Sequence, residues 1–142
     1  MNAKRMNIIL LALVGLLITS FLILKMEIVN SVAQGAGDIL YVGGSSPSNY
    51  TSIQSAINDA NDGDTIFVYS GVYYENVVIN KSITLIGENK ETTIIDGSNS
   101  GDVVNITANG VTIEGFTIRN SRWHAGIKIC YANNVNIYNC KT

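Results

Sequence analysis

Cysteine and proline are scarce in this chain of 142 residues. Its two cysteines, Cys130 and Cys140, are too few for the disulfide framework of a small secreted scaffold. Its one proline, Pro47, precedes the β-branched segments, so those segments keep every backbone donor that a strand requires. Stability must therefore come from hydrogen-bonded strands and apolar packing.

Positive charge is also scarce. Residues 34–142 contain six Lys or Arg against ten Asp or Glu, a net charge of −4. A nucleic-acid-binding protein presents a basic face, so no nucleic-acid partner is expected. Beyond the N-terminal Arg5, the only arginines are Arg119 and Arg122, which stand beside the single tryptophan and the single histidine, Trp123 and His124.

Residues 1–33 have the pattern of an export signal. Two basic residues precede an uncharged apolar run at 8–24. The small residues Ser31 and Ala33 then form the Ser-x-Ala pattern of a cleavage site after Ala33. Residues 1–33 are therefore predicted to be a signal peptide, or an uncleaved membrane anchor because charged residues separate the apolar run from the cleavage site. Both alternatives place the rest of the chain outside the cytoplasm, at the cell surface, in the medium or in the periplasm. They limit membrane contact to this segment.

One short helix is predicted after a linker. Residues 34–50 form the linker, which contains a first short strand at 39–42 and a Gly/Ser/Pro loop. The next segment places apolar residues at helical spacing, and it has Thr51 or Ser52 to cap its start and Asn-Asp-Gly at 61–63 to end it. The predicted helix has about three turns and one apolar stripe. That stripe comprises Ile53, Ala56, Ile57 and Ala60.

The hydrophobic period changes from 3.6 to 2 after Gly63. Short β-branched segments follow, separated by Gly, Asn, Asp and Ser. The predicted strands are 65–69, 75–79, 83–86, 92–96, 102–107, 111–113, 116–118, 126–130 and 135–138.

An internal repeat distinguishes a solenoid from a sandwich. The segment ANGVTIEGFTI (108–118) aligns with ANNVNIYNCKT (132–142). The segment beginning at Ile83 aligns in the same way with the one beginning at Val111. A repeat of about 25 residues fits one coil of a parallel β-helix, with apolar residues stacked about 4.8 Å apart.

The corners between strands are predicted to vary in length. Segments 104–106 and 127–129 also correspond, at an offset of 23 residues. Segments 108–118 and 132–142 are offset by 24 residues. One corner must therefore shorten between these two coils if the strands are to stay aligned.

The run TSIQSAINDANDGDTIFVYSGVYYENVVINKSITLIGENKETTIIDG (51–97) resembles the opening of pectin-lyase-like right-handed parallel β-helix proteins. The following repeats resemble those of archaeal and bacterial surface proteins and of NosD-type periplasmic copper-maturation proteins. The resemblance covers about residues 39–142. It implies an all-β, right-handed parallel β-helix whose open N-terminal end is capped by the short helix. Residues 51–142 would then be the cap and first coils of a longer β-helix.

The resemblance leaves three functions open. The first is a secreted or cell-surface β-helix domain with a structural or binding role, directed to carbohydrate or to a neighbouring surface protein. The second is the N-terminal part of a polysaccharide-active enzyme of the pectin esterase or lyase type. The third is a NosD-type periplasmic accessory protein.

No catalytic residue is predicted within this chain. The resemblance implies an esterase glutamine in the segment NSRWHAGIKI, where this chain has His124, and it places the catalytic Asp pair and Arg beyond the last residue. The nearest carboxylates, Asp96 and Asp102, are predicted to lie in a turn.

No metal site or other cofactor is predicted either. The acidic residues of 59–64 are interpreted as a solvated helix end, not as calcium ligands. The repeat points Cys130 outward or into a corner and aligns Cys140 with the inward Phe116. Neither a shared metal site with His124 nor a Cys130–Cys140 disulfide is therefore expected.

The candidate ligand contacts are aromatic and basic. Trp123 and its neighbours fall in residues 119–125, between two predicted strands, where side chains need not fit a stack. An aromatic surface of this kind stacks against sugar rings. The candidate contacts are Trp123, His124, Arg122, Tyr73 and Tyr74.

Three Asn-x-Ser/Thr sequons are candidate N-glycosylation sites. They begin at Asn49, Asn80 and Asn105. Inward placement of Val104 and Ile106 predicts that Asn105 points outward.

Overall fold

The computed structural model describes residues 37–142. The predicted signal peptide or anchor at residues 1–33 lies outside the described residues. Eleven short strands and one helix make up the described part. In chain order they are β1 (Ile39–Val42), α1 (Ile53–Asp59), β2 (Thr65–Val68), β3 (Gly71–Tyr74), β4 (Val77–Ile79), β5 (Thr84–Gly87), β6 (Thr93–Asp96), β7 (Val104–Ile106), β8 (Thr112–Glu114), β9 (Thr117–Arg119), β10 (Ile127–Ile129) and β11 (Asn136–Tyr138).

The strands form three parallel sheets. Sheet 1 has the order β1-β2-β5-β8-β11, sheet 2 has β3-β6-β9, and sheet 3 has β4-β7-β10. From β2 onward the chain visits the three sheets in turn, so each set of three strands is one coil and every strand pairs with its equivalent in the next coil. This arrangement is a parallel β-helix, as predicted. Among residues 37–142, no helix is long and apolar enough to cross a membrane.

The predicted repeat offsets match the strand register of the structure. Thr112 pairs with Asn136, and Thr84 pairs with Thr112, which confirms both predicted alignments in sheet 1. Val104 pairs with Ile127, so the shorter spacing predicted for sheet 3 is also confirmed. Corner lengths absorb the differences because the strands themselves must remain aligned to keep their hydrogen bonds.

The core consists of columns of aliphatic side chains that run across the coils. In sheet 1, Ile66, Leu85 and Ile113 pair in register and are fully buried. The next member of the column, Ile137, belongs to β11 at the edge of the sheet and is 38% exposed. Burial thus depends on having a coil on both sides.

The helix covers one end of these columns. The Ser52 side chain accepts a hydrogen bond from the backbone N–H of Ser55, which identifies the cap among the two predicted candidates. The whole predicted stripe, including Ile53 and Ala60, is buried against the core. The helix has seven residues, about two turns instead of the predicted three, because Ala60 adopts an extended conformation.

Two local predictions were wrong. Strand β3 was missed, because its sequence GVYY does not alternate between apolar and polar residues. Asp64 is not solvated: it is 4% exposed, and its carboxylate accepts hydrogen bonds from the backbone N–H groups of Asp38 and Asn61. It therefore joins the start of β1 to the turn that follows the helix.

Glu75, in the corner between β3 and β4, caps the start of the helix. Its two carboxylate oxygens accept hydrogen bonds from the N–H groups of Ile53 and Gln54, at 2.9 and 3.0 Å. We expect Glu75→Gln to lower the free energy of unfolding by about 1 kcal/mol, because a neutral amide loses one acceptor and the interaction with the helix dipole. Urea unfolding would measure the change.

Glu91→Gln is the matched control for this substitution. Glu91 is exposed and lies 4.0 Å from the Lys141 ammonium, so its loss should change stability very little. An equal loss in both variants would show that Glu75 stabilises the protein only through overall charge.

Candidate ligand-binding corner

The corner between sheets 2 and 3 differs strongly from coil to coil. In the first coil only Glu75 and Asn76 separate β3 from β4. In the next coil, residues 97–103 separate β6 from β7, and in the last, residues 120–126 separate β9 from β10. We call residues 120–126 the Trp123 corner. Extra length at this position builds loops that extend beyond the regular stack.

A buried carboxylate fixes the start of the Trp123 corner. Asp96, at the end of β6, is 3% exposed. Its oxygens accept hydrogen bonds from Asn120 Nδ2 at 2.9 and 3.0 Å and from Arg119 Nε at 2.9 Å. The backbone N–H of Ser98 donates a further bond to it. Asp96 ends strand β6, as the predicted strand 92–96 implied, and the predicted turn follows it; sheet 2 places it directly beside Arg119.

A second carboxylate fixes the end of the corner. Asp102 accepts a hydrogen bond from the N–H of Ala125 at 3.1 Å, and its other oxygen lies 3.0 Å from Lys128 Nζ. Nδ1 of His124 is 3.7 Å from the same carboxylate. The prediction that residues 119–125 need not fit a stack is therefore corrected at both ends, since each end is bonded to the coil below.

Between these two anchors, the backbone of the Trp123 corner adopts a constrained conformation. Asn120 and Arg122 adopt left-handed conformations, with φ of 61° and 55°. Asparagine tolerates this region well, and arginine adopts it only where the surrounding structure enforces it. The N–H of His124 donates to the carbonyl of Ser121 at 3.1 Å, which closes a tight turn around Arg122 and Trp123.

The turn projects Trp123 into solvent. Trp123 is 87% exposed, and Arg122 and His124 on either side are also exposed. An indole ring held in water by a fixed loop has its faces free to stack on a partner. The Arg122 guanidinium has no ion-pair partner among residues 37–142 and offers hydrogen-bond donors beside the ring.

The two predicted tyrosine contacts have different environments. Tyr74 is 72% exposed and stands in the column Tyr74–Asp96–Arg119 of sheet 2, on the side of the Trp123 corner. Tyr73 packs against the core, and its hydroxyl donates to the Tyr69 carbonyl at 2.8 Å. Burial raises the pKa of Tyr73. Of the five predicted contacts, Tyr73 thus makes a side-chain hydrogen bond within the fold, and the His124 imidazole lies 3.7 Å from Asp102.

Neither carboxylate of the corner is placed as a proton donor near neutral pH. The Asn120 amide, with Ser98 and Arg119, lowers the pKa of Asp96, and the Lys128 ammonium lowers the pKa of Asp102. A general acid needs the opposite shift. Both carboxylates therefore favour the ionised form in the folded protein.

No three His, Cys, Asp or Glu side chains between Gly37 and Thr142 are close enough to share a metal ion. Cys130 and Cys140 are both free thiols. Cys140 packs partly against the core, as its alignment with Phe116 predicted.

A second aromatic cluster was missed at the sequence level. Tyr41, Phe67 and Tyr69 lie on the outer face of sheet 1, with ring centroids 5.2–6.2 Å apart. Their alternation with buried Val42, Ile66 and Val68 was a usable signal. Two of the three contacts are edge-to-face, so the rings pack on one another and do not form a flat platform.

The three sequon asparagines are in different settings. Asn80 is exposed in the corner after β4, whereas Asn49 and Asn105 are half-buried. The Asn105 side-chain oxygen is buried with no hydrogen-bond partner among the described residues. The outward position predicted for Asn105 therefore exposes only part of its side chain.

Two proteins of known description are similar to this chain. A protein named cell surface glycoprotein, from Methanothermus fervidus, is 38% identical over 96 residues, which cover 63% of this chain and 16% of that protein. A protein named probable pectinesterase/pectinesterase inhibitor 6, from Arabidopsis thaliana, is 35% identical over 91 residues, which cover 51% of this chain and 16% of that protein. The chain thus spans about a sixth of the length of each relative. No known family profile matches the chain. Both similarities agree with a pectin-lyase-like β-helix.

Proposed function

We propose that this chain is a β-helix segment of an exported cell-surface protein and that it binds carbohydrate through the Trp123 corner. The observation that carries the proposal is the single tryptophan, 87% exposed, on a loop fixed at both ends by Asp96 and Asp102. The name of the Methanothermus fervidus relative supports the cellular location.

The corner has the chemistry that sugar recognition requires. A pyranose ring presents C–H groups on one face, and these pack against an indole ring. Its hydroxyls accept hydrogen bonds from a guanidinium or an imidazole, the groups that Arg122 and His124 supply. Because both ends of the loop are bonded to the preceding coil, binding requires little ordering of the loop and loses little conformational entropy.

Trp123→Ala should lower affinity for the bound glycan about 30-fold, because an exposed tryptophan at the centre of a site contributes roughly 2 kcal/mol. Stability should change by less than about 0.5 kcal/mol, since the ring covers no core surface. A glycan array would identify the ligand, and calorimetry on the selected glycan would then compare the variant with the unsubstituted protein.

Tyr131→Ala is the matched control, because Tyr131 is a fully exposed aromatic residue in the following corner, between sheets 3 and 1. It should bind glycan normally. If the folded protein binds no glycan on the array and instead binds a neighbouring surface protein through Trp123, carbohydrate recognition is wrong and the alternative partner is correct.

A second candidate function is the N-terminal part of a polysaccharide-active enzyme. The similarity to the protein named as a pectinesterase favours it. Methanol release from methylated pectin by the chain of 142 residues would support it and would show that catalytic residues lie within this chain, contrary to what the resemblance implies. Neither of the two relatives is named as a NosD-type accessory protein, so that third alternative stays a prediction.

A further inference from the structure

The three sequons differ in how much of the fold must open before the asparagine amide can react. In N-glycosylation the side-chain Nδ2 attacks the anomeric carbon of a sugar carried on a lipid pyrophosphate. The bond from that carbon to the pyrophosphate oxygen breaks, the lipid pyrophosphate leaves, and Nδ2 loses one proton to a base of the transferase. The amide must therefore be exposed and free of competing hydrogen bonds.

Asn49 does not meet this condition. It is half-buried, and its Nδ2 donates to the carbonyl of Gly43 at 2.7 Å. The same loop is joined to β1 by the hydrogen bond from the N–H of Gly43 to the carbonyl of Tyr50. Freeing the Asn49 amide would break the contact that closes this loop.

Asn105 is constrained further. It is the central residue of β7, where it pairs with Val78 on one side and Lys128 on the other. Its side chain is half-buried between those neighbours. The third sequon residue, Thr107, points its hydroxyl at the carbonyl of Ile79, 3.4 Å away. A transferase could reach this sequon only after strand β7 leaves the sheet.

Asn80 meets the condition. It follows β4 directly and is exposed, and its amide has no hydrogen-bond partner among residues 37–142. The adjacent Lys81 turns its ammonium toward the helix, where it donates to the carbonyls of Asn58 and Ala60. The backbone of Ser82 is held by Asp62 at 2.8 Å, while no described group bonds the Ser82 hydroxyl. The corner is thus fixed by the neighbours of Asn80 and leaves the acceptor itself free.

We propose that Asn80 is the residue of the folded chain that accepts an N-linked glycan, and that the fold protects Asn49 and Asn105. The donor class is a lipid pyrophosphate-linked oligosaccharide. The corner that holds Asn80 joins sheet 3 to sheet 1, whereas the Trp123 corner joins sheet 2 to sheet 3. A glycan on Asn80 therefore leaves the proposed ligand-binding corner open.

The test is transfer to the full chain of 142 residues in detergent by an oligosaccharyltransferase supplied with the lipid-linked donor. The folded chain and the urea-unfolded chain, diluted just before reaction, are compared by peptide mass mapping. In the folded chain, occupancy of Asn80 should exceed that of Asn49 by about fivefold or more, the factor that one retained hydrogen bond supplies, and it should exceed that of Asn105 at least as much, because strand β7 must also leave the sheet. In the unfolded chain, the glycan occupancies of the three sites should become similar.

Asn80→Gln and Ser82→Ala should each remove the glycan from the folded chain. Asn136→Gln, an exposed asparagine outside any sequon, should leave it in place. Equal occupancy of Asn49 or Asn105 in the folded chain would overturn the proposal. Modification of Asn80 in the unfolded chain alone would also overturn the proposal. Loss of glycan binding in Trp123→Ala with normal occupancy of Asn80 separates this proposal from the proposed function.

Discussion

Replacing Gly115 with alanine is expected to destabilise the β-helix by about 2–5 kcal/mol. Gly115 has a φ of 78°, and a Cβ atom placed on it would lie 2.4 Å from the carbonyl oxygen of Gly87 in the coil below. The obstructing group is a backbone carbonyl, so it cannot rotate aside as a side chain would. Relief would require the two coils to separate at the corner between sheets 1 and 2.

Gly101→Ala is the matched control for this substitution. Gly101 has a similar φ of 70°, but a Cβ atom there would meet nothing within 4 Å. The control therefore measures the cost of the left-handed conformation alone, about 1–2 kcal/mol. Urea unfolding of both variants gives the difference. Equal destabilisation would show that the coils can move apart freely and that the contact between Gly87 and Gly115 is unimportant.

Asp96→Ala is the second large effect, with an expected loss of about 2–3 kcal/mol. The substitution removes the acceptor for Asn120, Arg119 and the backbone N–H of Ser98, and leaves those donors beside a buried site. Arg119 is 45% exposed and can return to water, which limits the loss. Asp62→Ala is the control, because exposed Asp62 accepts only the N–H of Ser82 among residues 37–142.

The same substitution should change the pH dependence of stability. The pKa of Asp96 is lowered by Asn120, Ser98 and Arg119, so the folded state favours its ionised form. Its contribution is complete above the unfolded pKa of about 3.9, and it is lost as pH falls below that value and through the folded pKa. Thermal melts from pH 7 to pH 3 should show a shallower acid decline in Asp96→Ala. An unchanged decline would contradict this role, since Asp102 and Glu88, whose pKa values are also lowered, are unaffected by the substitution.

Much of the fold could be predicted because a solenoid repeats in sequence what it repeats in space. The match of Val111 and Ile113 to Val135 and Ile137 gave the register of sheet 1, and the register gave the inward face. The helix stripe could be predicted for the same reason, since its apolar spacing is local. Strand β3 could not, because GVYY lacks the apolar–polar alternation, and its pairing partner β6 lies in the next coil.

Only part of the Trp123 corner could be predicted from the sequence. Its position, its exposure and its unusual residues follow from the gap between two predicted strands. The partners of its anchors do not: Asp96 bonds Arg119 and Asp102 bonds Ala125, each from the preceding coil. Both pairs are 23 residues apart, close to the repeat, but the spacing of apolar residues constrains only the inward side chains and does not specify bonds between polar residues at the corners.

The sequence by itself determined the coil period, the strand register, the inward columns and the capping helix, because each depends on the spacing of apolar residues along the chain. Only the tertiary structure decided which polar groups are free. Asp64 and Asp96 are buried and bonded, Asn80 is exposed with a free amide, and Asn49 is bonded. The physical reason is that a hydrogen bond depends on the distance and angle between two groups from different coils, and those are set only when the coils stack.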